Sequence, residues 1–186
     1  MNLPNKLTML RILLVPFFVV FVYFEKYPVC QVLALVLFIS ASITDLLDGR
    51  IARSRNLVTD FGKFMDPIAD KLLVMSAFVM LVEQQRMPGW VCILMLAREF
   101  IVSGFRLVAS GKGKVIAAGI WGKLKTITQM IYVPMALLLI PIKALDPAVH
   151  PIWQVLTDIM MYISLALTLW SGFCYIWNNH EYIKDM

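Results

Sequence analysis

Apolar residues gather into six long runs, at roughly 7–25, 29–49, 64–83, 87–109, 120–141 and 152–177, with short polar stretches between them. About 20 helical residues cross the roughly 30 Å hydrocarbon core of a bilayer, so each run is long enough to be a span. The connections are brief: EKYP, EQQRMPG and KALDPAVHP on one side, and ASGKGKV on the other. The pattern predicts an all-α integral membrane protein with six transmembrane helices, a short N-terminal juxtamembrane segment and a single membrane domain over residues 1–186. No stretch is left for a soluble module.

Composition agrees with this reading. The hydrophobic share is 60% and the mean hydropathy +0.78, against the roughly 45–50% apolar share of soluble domains. The N-terminal MNLPNKLTMLRILLVPFFVVFVYF has no small-residue cleavage site after its apolar part, so it reads as a retained first span. With the N-terminus in the cytoplasm, only Lys26, Arg86 and Lys143 of the 17 Lys and Arg residues fall on or near outer connections. That asymmetry follows the positive-inside rule and places both termini in the cytoplasm. The formal net charge of +5 therefore reads as topology and lipid contact, and no nucleic-acid partner is expected. Cys30, Cys92 and Cys174 stand alone in apolar runs without C-x-x-C spacing, which argues against a disulfide framework and a zinc site.

One stretch breaks the apolar pattern: DLLDGRIARSRNLVTDFGKFMDPIAD, from Asp45 to Asp70. Asp45 and Asp48 are three residues apart, so on a helix they share a face that Gly49 and Ala52 continue. Asp66 and Asp70 are four apart, with Gly62 one turn earlier. Carboxylates near lipid are costly unless paired or metal-bound, and four that converge raise one another's pKa unless cations neutralise them. Oxygen-only ligation suits Mg²⁺, Mn²⁺ or Ca²⁺, and no nearby His or Cys points to zinc or copper. Gly49 and Ala52 leave open space, and the Arg53 fork matches phosphate oxygens, so the site suggests a nucleotide diphosphate. Pro67 implies that the third helix either begins there or is kinked there.

The spacing D-x2-D-G-x2-A-R-x8-G-x3-D-x3-D, filled by Asp45, Asp48, Gly49, Ala52, Arg53, Gly62, Asp66 and Asp70, resembles the signature of the CDP-alcohol phosphatidyltransferases. That resemblance implies a homodimer of six-span subunits that moves a phosphatidyl group from a CDP-linked lipid to an alcohol and releases CMP. It implies that Asp45, Asp48, Asp66 and Asp70 bind two divalent cations, Mg²⁺ or Mn²⁺, with Asp70 also the catalytic base. Asp45, Gly49, Ala52, Arg53 and Gly62 would form or border the CDP site. The chemistry is consistent, because phosphoryl-type transfer needs charge neutralisation at the diphosphate and a deprotonated attacking oxygen.

A second polar set bears on the acceptor alcohol. Arg98, Glu99 and Arg106 lie in or beside a predicted span, where ionisable residues usually face a cavity and each other. A neutral acceptor such as inositol does not need such a cluster, whereas an acceptor with its own phosphate does. The stretches PNKLTMLR, ARE with a later arginine, and GKLKT resemble the branch of the family that uses glycerol 3-phosphate with CDP-diacylglycerol. On that resemblance Arg98, Arg106, Lys123 and Lys125 bind the acceptor phosphate, with Thr8 and Arg11 closing the site. Glu99 either orients Arg98 or neutralises it. Lys112 and Lys114 read as topology signals.

Other acceptors (serine, inositol, inositol phosphate) keep the same chemistry. A divalent-cation transporter is the alternative from a different class, but it needs polar residues along a whole path, and the first two runs are nearly all apolar beyond their cytoplasmic ends. His150 and His180 read as ordinary surface residues, the tryptophans as interfacial anchors and the methionines as packing.

Overall fold

All but the fifth apolar run coincide with a single helix in the computed structural model, which describes residues 3–54, 60–111 and 119–179; the side chains of 3–7, 45–54, 60–64, 66, 67, 70, 110 and 111 lie outside the described ones. The helices are α1 (Leu3–Tyr23), α2 (Pro28–Ser54), α3 (Asp60–Glu83), α4 (Gly89–Gly111), α5 (Ile120–Leu137), α6 (Leu139–Leu145) and α7 (His150–Asn178). Among the described residues there is no strand. Pro28 opens α2, where its missing N–H removes no intrahelical bond. α3 starts at Asp60, ahead of Pro67, so the proline lies inside the helix and does not begin it.

The fifth apolar run, expected as one helix over 120–141, is divided at Leu138 into α5 and α6. Pro141 explains the division. It has no N–H to donate to the carbonyl of Leu137, and its ring crowds that carbonyl. The chain resumes helical bonding at once, with Leu138 N–H donating to Pro134 O at 3.1 Å and Ile142 N–H to Leu138 O at 2.9 Å.

Among the described residues, Ile120–Leu145 and His150–Asn178 are long and apolar enough to cross a membrane, while Thr8–Tyr23 and Pro28–Thr44 are shorter apolar helices. Large apolar side chains such as Leu13, Val36, Ile93, Phe100 and Ile152 face outward, each more than half exposed. A soluble monomer rarely presents so continuous an apolar exterior, and lipid is the solvent that suits it. The chain is an integral membrane protein.

The chain divides into two compact units, the first comprising 1–86 and 133–154 and the second 87–132 and 155–186. In the first, α1 packs on α2 and α3, and α2 meets α6. Its core combines aromatic and small residues: Phe18 and Phe38 have ring centroids 6.0 Å apart, and Ala34, Ala41 and Ala77 are fully buried. Small residues let helices approach closely where no hydrophobic effect drives them together.

In the second unit the interior is more polar. Thr157, Ser164, Thr168 and Ser171 of α7 are all buried. Gln129 of α5 donates to the Thr168 hydroxyl at 3.2 Å, and the hydroxyls of Thr168 and Ser171 donate to carbonyls of their own helix at 2.6 and 2.9 Å. The bond between α5 and α7 contributes about 0.6–2 kcal/mol inside a bilayer. This polar face of α7 continues into the site described next.

Candidate active site

The first unit carries the aspartate signature on regular helix. Asp45, Asp48, Gly49, Ala52 and Arg53 lie in the C-terminal half of α2, and Gly62, Asp66 and Asp70 in the N-terminal half of α3. Helical backbone at both places puts Asp45 and Asp48 on one face of α2, and Asp66 and Asp70 on one face of α3. The side chains of these eight residues lie outside the described ones. A set of four carboxylates is a hard-oxygen donor set and fits Mg²⁺ or Mn²⁺. Among the described residues no group of three or more His, Cys, Asp or Glu is placed to hold a metal. Thr8 and Arg11 lie on α1 and are buried, at 2% and 3% exposure.

The second unit contains a cavity of about 240 Å³. Arg98 and Arg106 of α4 line it, together with Gly119 and Gly122 at the start of α5 and Ser171 and Tyr175 of α7. It is smaller than the roughly 300–1,000 Å³ of sites for drug-sized ligands, so it suits a small acceptor and not a nucleotide or a lipid. The start of α5 adds the positive end of a helix dipole, which is attractive to an anion.

Arg98 is the most constrained group in the cavity. It is 9% exposed, its Nη1 lies 3.5 Å from Glu99 Oε1, and its buried Nε has no hydrogen-bond partner. A buried donor without a partner costs about 1–3 kcal/mol, more when charged, so the fold holds Arg98 in this position against a cost. The Tyr175 hydroxyl is likewise buried without a partner. Arg106 lies over the Tyr175 ring, 5.5 Å from its centroid, and that ring is held edge-on by Phe105 at 5.9 Å.

Glu99 resolves the choice left by the sequence in a third way. Lys125 pairs with it, so the carboxylate is already balanced by a lysine while it also restrains Arg98. Two arginines on the cavity wall thus keep their positive charge for a ligand. The described wall includes Arg98 and Arg106, but neither Lys123 nor Lys125. Lys123 is exposed, and Lys125 is buried against Glu99.

Sequence reading passed over the α7 contribution. Gly172 sits where an added Cβ would come within 2.9 Å of Arg98 Cγ, and Ser171 and Tyr175 complete the wall. The visible signal was small: one glycine and one serine inside the bulky run LWSGFCYIW.

Comparison with known proteins supplies the frame for these two sets of residues. Residues 1–170 match the family described as CDP-alcohol phosphatidyltransferase. A protein of Bacillus subtilis named CDP-diacylglycerol–glycerol-3-phosphate 3-phosphatidyltransferase is 40% identical, over 98% of this chain and 97% of its own. Proteins of the same name from Rickettsia bellii and Haemophilus influenzae are 38% and 36% identical, each over 94% of this chain and over 93% and 91% of their own lengths. The signature-bearing helices and the two cavity arginines, Arg98 and Arg106, fall within the matched residues, while Ser171 and Tyr175 lie just beyond them, and the chain belongs to the CDP-alcohol phosphatidyltransferase family.

Proposed function

We propose that the chain transfers the phosphatidyl group of CDP-diacylglycerol to sn-glycerol 3-phosphate, giving phosphatidylglycerol phosphate and CMP. The donor half of this reading rests on the aspartate signature and the family. The acceptor half rests on one observation above all: a small cavity walled by two arginines, one with a buried, unpartnered Nε. The names of the relatives point to the same acceptor.

In the reaction a glycerol hydroxyl of the acceptor attacks the phosphorus that carries the diacylglycerol. The bond from that phosphorus to the CMP phosphate oxygen breaks, and CMP leaves. Asp70 accepts the hydroxyl proton. Arg98 and Arg106 hold the acceptor's own phosphate, leaving its hydroxyl free to react. Arg53, with Gly49, Ala52 and Gly62 giving room, receives the CDP diphosphate. The family uses divalent metal ions, and Asp45, Asp48, Asp66 and Asp70 would hold two, Mg²⁺ or Mn²⁺. When bound, these neutralise the diphosphate and the departing phosphate. The active unit is a homodimer in the cytoplasmic membrane with its site toward the cytoplasm, in line with the placement of the basic residues.

The test is CMP release by the purified, detergent-solubilised protein from CDP-diacylglycerol with Mg²⁺ or Mn²⁺, supplied separately with glycerol 3-phosphate, serine or inositol. Release with glycerol 3-phosphate alone, lost in Asp66→Asn, is the expected result. Release with serine or inositol instead would overturn the acceptor assignment and leave the donor assignment standing.

A further inference from the structure

We infer that Gly172 is a positioning residue for acceptor recognition: its missing side chain opens a groove in α7 through which the stem of Arg98 passes to reach the cavity. The inference rests on the reading of that cavity as the acceptor-phosphate site. Three observations carry it.

The first is steric. A Cβ at position 172 would meet Arg98 Cγ at 2.9 Å, with Nε at 3.7 Å and Cδ at 3.9 Å. The close atom is near the root of the side chain, so the arginine cannot yield by moving only its tip. The second is that Arg98 is restrained at its other end. Its Nη1 faces Glu99, and Glu99 is fixed by Lys125. The stem therefore has a wall in front and a gap behind, and the gap is Gly172. The third is that Gly172 is buried, in a helix whose neighbouring positions carry Trp170, Phe173 and Cys174. Conformational freedom gives no reason for a buried glycine inside a helix. The need for space at Arg98 does.

An alanine at position 172 would push the stem away from α7 and turn the guanidinium out of its present aim. Removing or misdirecting one charge-assisted contact weakens ligand binding by about tenfold or more. The effect falls on the acceptor alone, because the donor-binding signature is on other helices.

The experiment is a double-mutant cycle in the full-length, detergent-solubilised enzyme, read as KM for glycerol 3-phosphate, KM for CDP-diacylglycerol and kcat. Gly104→Ala is the control, since a Cβ at Gly104 would meet nothing within 4 Å. Gly172→Ala is expected to raise the glycerol 3-phosphate KM about tenfold, leave the CDP-diacylglycerol KM within about twofold and spare kcat at saturating acceptor. In an Arg98→Ala background, which removes the Cγ that the new Cβ would meet, the same change should add nothing, since it acts through Arg98. Gly104→Ala should match wild type.

Equal loss in both backgrounds, or a parallel rise in both KM values, would mean that Gly172 serves general packing and would overturn the inference. If Gly172→Ala fails to fold, Gly172→Ala with Arg98→Ala should fold, because the clashing stem is gone, and failure of the double variant as well would overturn the inference. If Arg98→Ala itself leaves the glycerol 3-phosphate KM unchanged, the cavity reading falls and the inference with it. A normal Arg98 effect beside a silent Gly172→Ala overturns the inference alone.

Discussion

Arg86 in the first unit and Arg98 in the second are both drawn largely out of water, yet their surroundings differ in kind. Arg86 Nη1 donates to the Ala136 carbonyl at 2.7 Å and to Gln31 Oε1 at 3.4 Å. Gln31 and Gln84 in turn donate to the carbonyl of Val22, at 3.0 and 2.5 Å. Val22 is next to the end of α1, and Ala136 precedes the division at Leu138, so both carbonyls sit where a helix lacks its own donors. The polar side chains of this knot complete the backbone. Arg98 instead meets a single carboxylate that a lysine already holds, and it lines the cavity. The lesson is that a cation among membrane helices is read from its setting: tied to backbone carbonyls away from the cavity it is structural, and on the cavity wall it is there for a ligand.

The largest effect that bears on this contrast lies with neither arginine. Asp70→Asn should abolish acceptor-dependent CMP release, a loss of at least about a hundredfold for a proton acceptor, while the thermal midpoint in detergent stays near wild type because the amide keeps the size of the side chain. Near-normal turnover would remove Asp70 from the chemistry and leave the cavity without a reaction to serve. Next comes Arg98→Gln, which should raise the glycerol 3-phosphate KM about 10- to 100-fold, the worth of a hydrogen bond to a charged group, with the CDP-diacylglycerol KM unchanged. Arg98→Lys should recover part of the loss, since lysine keeps the charge but not the fork. A uniform loss of both affinities would place Arg98 with Arg86 among the structural cations.

These two residues also mark how far the sequence is informative. The all-helical character and the helical faces shared by Asp45 with Asp48 and by Asp66 with Asp70 follow from spacing alone, because helical periodicity is local. Arg98 and Arg106 stand out for a similar reason: each is a charge in or beside an apolar run, eight residues apart on one helix. What spacing does not reveal is which partner a side chain meets across the unit. Lys125 satisfies Glu99 from 26 residues away, and nothing in either stretch announces the pairing. Gly172 and Tyr175 are quieter still, since α7 reads as one apolar, aromatic span and its site-facing positions become visible only against α4. The division at Leu138 had its cause in plain view, in Pro141, but an apolar run conceals a proline that length alone does not flag.

A smaller effect should come from Tyr175. Its ring under Arg106 supplies a cation–π contact of about 0.5–2 kcal/mol. Tyr175→Leu should therefore raise the glycerol 3-phosphate KM by roughly 2- to 30-fold, and Tyr175→Phe, which keeps the ring, by less. An acceptor KM equal to wild type in Tyr175→Leu would show that Arg106 holds its place without the ring. Substrate protection gives a view that does not depend on turnover: Cys174 lines the same cavity, so in a protein lacking Cys30 and Cys92 glycerol 3-phosphate should slow its alkylation. Protection absent at saturating acceptor would move the acceptor out of this cavity.

The smallest effect on catalysis should belong to Arg86, and this makes it the sharpest test of the contrast. Arg86→Gln removes donors to the Ala136 carbonyl and to Gln31 and leaves helix-end acceptors short of partners. A bond to a charged donor contributes about 1.5–3 kcal/mol, and a chain of this size loses roughly 2–4 °C of midpoint per kcal/mol, so the thermal midpoint should fall by about 5 °C or more. Both KM values and the turnover of the folded fraction should stay at wild-type values. The opposite signature, an unchanged midpoint with a raised acceptor KM, would mean that satisfied carbonyls do not mark a cation as structural, and that rule is what separates Arg86 from Arg98.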